Sequence, residues 1–197
     1  SKIVKTEEEL KNAVADSTVS EIVLGDDIET LGKINITRDL TLDGNGHSIT
    51  YVGKFFEKLD SEGSDDNTIW SKKSSDGTAG AVYVIQVYKA NVEIKDIVFA
   101  GGNRGLGING SVVTLDGTIG FVNNGFQDIE LSNGKDVTGI PTLKLTDNAI
   151  VTTDNETDKV ESWLIYVDGV EANVNGKTFS ADTSLRASSI GAPVIAV

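Results

Sequence analysis

The chain has 197 residues, a formal net charge of −13 and a charged fraction of 24%. That length holds one domain with a full core, and the acidity excludes a phosphate-backbone partner, so no nucleic acid is expected. Cys and Met are both absent, which removes disulfides, thiolate nucleophiles and Cys-ligated metal; without a Met, Ser1 reads as the start of a processed or excised piece. No apolar run reaches the roughly 20 residues of a membrane span, so none is expected.

In chain order, the first element is a helix over about residues 7–16. Thr6 is suited to the N-cap and Glu9 completes a capping box. Glu7 and Glu8 place negative charge where the helix dipole favours it. Leu10, Ala13 and Val14 form an apolar stripe at helical spacing. Such a stripe needs something to cover, and the open end of a β-stack is a suitable target.

The pattern then changes to period two. Ile22 to Leu24, Ile34 and Ile36, Leu40 and Leu42, and Ile49 and Tyr51 read as short strands broken by turns such as Asp43-Gly44-Asn45-Gly46. Further on, Val92 to Phe99 precede Gly101-Gly102-Asn103. Leu106 and Ile108 precede Asn109-Gly110, Ile119 and Phe121 precede Asn123-Asn124-Gly125, and Ile129 and Leu131 precede Asn133-Gly134. Turns at Asn109 and Asn133, and at Asn124 and Asn148, recur with a 24-residue step. A step of roughly 20–30 residues with three short strands is one turn of a solenoid. A sandwich would instead show longer strands and two-residue hairpins. The expected fold is therefore all-β: a right-handed parallel β-helix (β-solenoid) of about six to eight rungs, with a short N-terminal capping helix. Ile34, Ile36, Leu40, Leu42, Ile94, Ile97, Phe99, Leu115 and Ile129 should point inward.

Residues 1–197 read as a single β-helix domain, with residues 53–80 as an inserted loop or hairpin. That segment, GKFFEKLDSEGSDDNTIWSKKSSDGTAG, is polar and Gly/Ser-rich apart from Phe55, Phe56, Ile69 and Trp70. Residues 154–161 read as a second excursion. The apolar end, Pro193 to Val197, suggests a strand docking on the last rung or a parent protein that continues.

The opening TEEELKNAVADSTVSEIVLGDDIETLGKINITRDLTLDGNGHSIT resembles the pectate-lyase-like β-helix domains of bacterial cell-surface proteins, S-layer-associated and adhesin-like. ANVEIKDIVFAGGNRGLGINGSVVTLDG is similar to their middle rungs. The resemblance implies an extracellular or cell-surface location and a structural or adhesive role. The lyases themselves abstract a proton beside a uronate carboxylate, with Ca2+ held by aspartates and an Arg or Lys as base. Their Trp-Ile-Asp-His segment is missing here.

Candidate site residues follow from residue chemistry. Arg104, in Gly101-Gly102-Asn103-Arg104-Gly105, is either a carboxylate- or sugar-binding side chain on a corner or a partner for Asp96 or another acid on a neighbouring rung; the pairing is preferred. Trp70 and Tyr83, with Phe55, Phe56 and Tyr88, lie in or near the insertion, where exposed rings beside acids could stack on a sugar or pack the insertion onto the flank. Asp60, Glu62, Asp65 and Asp66 offer alternating oxygen ligands beside Gly63, which suits Ca2+, although a solvated acidic loop is the simpler account. His47, the one His, sits at a turn and reads as structural. No cofactor is required, and Ca2+ is the one cation the acidic loop could hold.

No catalytic residue emerges, and the preferred function is a non-catalytic cell-surface or secreted module that binds a cell-wall or extracellular glycan or a surface protein. The alternative is a polysaccharide lyase or glycoside hydrolase acting on an extracellular polysaccharide, which would need convergent acids and a basic residue of perturbed pKa on one face.

Overall fold

The computed structural model describes residues 1–53, 57–58, 68–69, 82–125, 127–154, 163–186 and 194–196. Among the described residues the one helix, α1, spans Glu7–Ala15. Thr6 is extended at the cap, and its hydroxyl accepts from the Glu9 amide at 3.2 Å. The Glu9 carboxylate returns to the amide of Lys5, at 2.7 Å, one residue before the cap, so the capping box closes around a slightly wider turn. Leu10, Ala13 and Val14 are buried. At the other end of α1, Arg38 donates through Nε to the Val14 carbonyl and through Nη2 to that of Ala13, both at 2.8 Å. A guanidinium thus covers carbonyls that the helix leaves open.

The other elements among the described residues are strands, most of them arranged in three parallel ladders. The first ladder runs β1 (Lys2–Val4), β2 (Glu21–Leu24), β5 (Leu40–Asp43), the first half of β10 (Asn91–Ala100), the first half of β12 (Val112–Val122), β14 (Thr142–Leu145) and β17 (Ala172–Val174). The second runs β3 (Ile28–Thr30), β6 (Ser48–Tyr51), the second halves of β10 and β12, β15 (Ile150–Thr153) and β20 (Val194–Ala196). The third runs β4 (Ile34–Ile36), β9 (Tyr83–Tyr88), β11 (Arg104–Asn109), β13 (Gln127–Ser132) and β16 (Trp163–Asp168). Within residues 53–80, β7 (Glu57–Lys58) and β8 (Thr68–Ile69) form a separate antiparallel pair.

Register aligns like with like. Ile22 faces Leu42, Leu42 faces Ile94 and Ile94 faces Leu115 in the first ladder. Ile28, Ile49, Phe99 and Phe121 align in the second, where the two Phe rings lie 5.7 Å apart and stacked. Ile34, Ile85, Leu106, Ile129 and Ile165 align in the third. All nine positions expected to point inward are buried. At Asp96 the register of β10 shifts and φ turns positive, 41°. That bend separates the two halves of the strand and sends each to its own ladder.

Buried amides hold the corners. Asn103 Oδ1 accepts from the Val82 amide at 2.7 Å, and Asn124 Oδ1 from the Gly102 amide at 3.1 Å. Asn124 Nδ2 also donates to the Phe99 carbonyl at 3.1 Å. Val82 and Gly102 lie outside the strands, and satisfying their amides is the condition for burying these turns. The 24-residue step is not uniform. Asn109 faces Ser132, close to the expected Asn133, but Phe121 faces Thr153 rather than the region of Asn148. The connections between levels differ in length, so turn spacing and ladder register part company.

The far end differs from the expected run of corners. Asn175-Gly176, with φ of 49° and 84°, is a two-residue hairpin that reverses the chain into β18 (Lys177–Phe179), antiparallel to β17. β19 (Thr183–Leu185) likewise lies antiparallel on β16, while β20 docks on β15 in parallel. The ladder thus meets α1 at one end and short antiparallel strands at the other.

Candidate functional site

Alternation along the third ladder sends Ile85, Val87, Leu106, Ile108, Ile129, Leu131, Ile165 and Val167 to the core. The residues between them form outward rows. Gln86, Gly107, Glu130 and Tyr166 stand in register across four strands, and Tyr88, Asn109, Ser132 and Asp168 form the next row. Near the strand starts, Tyr83 faces Arg104 and Arg104 faces Gln127.

Three of these side chains form one buried unit. Arg104 Nε donates to Glu130 Oε2, and the Tyr83 hydroxyl donates to Glu130 Oε1 at 2.7 Å. Arg104 and Glu130 are 3% and 4% exposed, so the pair is desolvated. Charge and hydrogen bonding must together offset that burial. Gly107 makes the geometry fit. A Cβ there would lie 2.6 Å from the Tyr83 ring, so only a glycine lets the ring settle onto the sheet. Two cations approach the same ring, the Arg104 guanidinium and the Lys33 ammonium, each 5.7 Å from its centre. Lys33 also donates to Gln86 Oε1 at 3.0 Å.

Electrostatics follow from this packing. Burial, reinforced by the Glu130 charge, pushes the Tyr83 hydroxyl well above the usual tyrosine range. Burial also lowers the Lys33 ammonium. Asp168 is raised, first by desolvation and then by the Glu130 and Asp182 charges. Tyr166 is raised by desolvation and by Asp182, whose Oδ1 accepts from the Tyr166 hydroxyl at 3.2 Å. Gln127 is fully buried beside Arg104, and among the described residues neither polar atom of its side-chain amide has a hydrogen-bond partner.

The structure brings Tyr83 and Arg104 together, and the acid opposite Arg104 is Glu130. Asp96, the acid named from sequence, instead accepts from the Thr118 amide at 2.9 Å. Trp70, Asp60, Glu62, Asp65 and Asp66 lie outside the described residues. Among the described residues, no three His, Asp or Glu side chains cluster in a way that could hold a metal ion. His47 stands at its turn with Nδ1 3.2 Å from Asp27 Oδ1. Glu130, Gln86 and Asp168 were not singled out from the sequence. They lie on different levels, and only the ladder register brings them together.

The outward rows of the other ladders are different in kind. The first carries Thr41, Glu93, Thr114 and Lys144 in one row. A shallow groove opens there, lined by Ser20, Asp39, Thr41, Asn91, Glu93 and Thr114 among others. The second carries Ser48, Val98, Gly120 and Thr152. Neither row holds an aromatic ring.

Comparison with known proteins places this arrangement. A solved structure described as "L. reuters 100-23 SRRP" aligns over 87% of this chain and 65% of its own length, at 18% identity and a TM-score of 0.41. The chain therefore spans less than two thirds of that protein, and the likeness is too low to carry an argument. No curated protein matches the chain. The family described as the pectate lyase-like adhesive domain matches residues 1–180. That span is most of the chain, and the protein belongs to this family of adhesive domains.

Proposed function

We propose that this chain is a non-catalytic adhesive module of a bacterial surface or secreted protein, and that its three ladders are the faces of a right-handed parallel β-helix. The contact surface on this reading is the outer face of the third ladder, and its ligand is a glycan. One observation carries the assignment. Tyr83, Tyr88 and Tyr166, three of the four tyrosines, share that face with Gln86, Arg104, Glu130 and Asp168. Sugars are bound by such mixtures, with rings for the apolar faces of the ring carbons and amides and charges for the hydroxyls. Tyr83 is buried and fixed, so it serves as the floor, while Tyr88 and Tyr166 are only half-buried and available to stack.

Charge narrows the ligand. The net −13 repels polyanions, and Arg104, the face's most deeply placed cation, already faces Glu130. A neutral glycan is favoured over a uronate chain unless Ca2+ bridges the two. Residues 60–66 supply the first acids to test in that case.

The experiment is a glycan array probed with the chain and with the Tyr88→Ala and Tyr166→Ala variants, alongside a uronate-product assay with and without Ca2+. The reading expects binding to neutral glycans that falls roughly tenfold, about 1.4 kcal/mol, in either variant. Unsaturated uronate products would overturn the non-catalytic assignment. Neutral-glycan binding unaffected by both substitutions would overturn the choice of face.

A further inference from the structure

Five Asn-Gly pairs punctuate the chain, at 45–46, 109–110, 124–125, 133–134 and 175–176. Such a pair carries a latent reaction. Glycine presents no Cβ, so its amide nitrogen can approach the preceding Asn side-chain carbonyl. The attack requires the Gly nitrogen to release its proton and its hydrogen bond, and the turn to flex.

The five pairs differ in how that nitrogen is held. Gly46 donates to the Asp96 carbonyl, Gly110 to that of Ser132 and Gly125 to that of Gly102, all at 2.9 Å. Each acceptor belongs to the main chain of another level. Gly134 donates at 2.8 Å to Asn109 Oδ1, on a side chain 25 residues earlier that is itself buried. Gly176 donates within its own turn, at 3.1 Å, to Asn173 Oδ1.

Position sharpens the difference. Asn175 and Gly176 are exposed. They join β17 to β18, a three-residue strand at the end of its ladder. Local opening is cheapest at such an edge, where few contacts must break. Freeing the Gly46, Gly110 and Gly125 nitrogens breaks main-chain bonds to another level, and freeing that of Gly134 requires the buried Asn109 side chain to turn away.

We infer that Asn175 is the chain's site of spontaneous deamidation, and that stacking protects the other four asparagines. The Gly176 nitrogen bonds to Asn175 Cγ and closes a five-membered imide. The bond from Cγ to the side-chain nitrogen breaks, and ammonia leaves with the proton that Gly176 releases. Water then opens either imide carbonyl, giving aspartate or isoaspartate, with no change of oxidation state. Isoaspartate adds a methylene to the main chain inside a hairpin whose register sets Ala172 against Phe179 and Val174 against Lys177. It also displaces the residue-175 amide, which donates to the Leu143 carbonyl at 2.7 Å. The last strand of the first ladder therefore loosens as the protein ages.

The test uses the unaltered chain. It is held at mildly alkaline pH and physiological temperature in heavy-oxygen water, and then digested. Mass spectrometry follows label uptake in the five Asn-Gly peptides. The inference expects the 175–176 peptide to convert at least about tenfold faster than any other, the ratio that a difference of about 1.4 kcal/mol in opening free energy gives. In denaturant the five rates should converge, because no glycine nitrogen is then held. Asn173→Ala, which removes the acceptor of Gly176, should speed conversion at Asn175 and leave the other four unchanged. A different pair converting first in the native chain overturns the assignment. The same ranking persisting in denaturant overturns the protective role of the fold.

Discussion

The first and third ladders use the same inner residues and different outer ones. Inside, both stack Ile, Leu and Val in register. Outside, the first ladder shows exposed or half-buried Thr, Glu and Lys, whereas the third holds a desolvated Arg–Glu–Tyr unit seated on a glycine. Strand pairing and core burial account for the inner rows completely. They do not ask for a buried ion pair on an outer row, where Thr and Lys serve the first ladder well. The proposed contact face rests on this difference, and it can be probed one side chain at a time.

The largest effect should come from Arg104→Ala, which strips Glu130 of its charged partner. A carboxylate left unpaired in that site should destabilise the fold by about 3–5 kcal/mol, read from the urea midpoint. Tyr83→Phe is gentler. It removes one hydrogen bond to a charged group and keeps the ring over Gly107, so about 1.5–3 kcal/mol is expected in the same assay. A loss within error for both variants would mean that the unit is wetter than its burial implies.

Asp168→Asn should act in the opposite direction and depend on pH. The folded state raises this carboxyl above its ordinary range, so the fold binds its proton more tightly than the unfolded chain does. Stability from this group is therefore lost as pH rises through the raised value, and restored as pH falls below the ordinary carboxylate range. Asn mimics the protonated form. A small gain in melting temperature at neutral pH should shrink toward zero under acidic conditions, and a gain that grows on acidification would contradict the stated cause. The smallest effect belongs to the first ladder. Glu93 pairs with Lys95 at 3.4 Å on an open surface, and Glu93→Ala should leave the urea midpoint unchanged.

Much of the inner architecture was readable from residue order. The Thr6–Glu9 cap and the Leu10, Ala13, Val14 stripe marked α1, because helix ends and faces are local chemistry. Val92 and Ile94, and then Ile97 and Phe99, showed their inward rows through period-two alternation. The corner asparagines were visible in the Gly102-Asn103 and Asn124-Gly125 turns, although their role as buried caps was not. What escaped was whatever depends on register between levels. Arg104 was expected to meet an acid, but nothing local selects Glu130 over Asp96, since the choice depends on how many residues the intervening turns consume. Gly107 looked like any strand glycine until the Tyr83 ring was found above it. Asn175-Gly176 carried the same signal as the other turns, and only the antiparallel return of β18 onto β17 makes it a hairpin.

The central claim is that contact is made through the outer face of the third ladder. Amide chemical-shift mapping during titration with a neutral glycan selected from the array tests it most directly. Perturbations concentrated on residues 83–88, 104–109, 127–132 and 163–168, with residues 40–43 and 112–116 unmoved, are the predicted result. Perturbations centred on the groove around Thr41, Glu93 and Thr114 would contradict it.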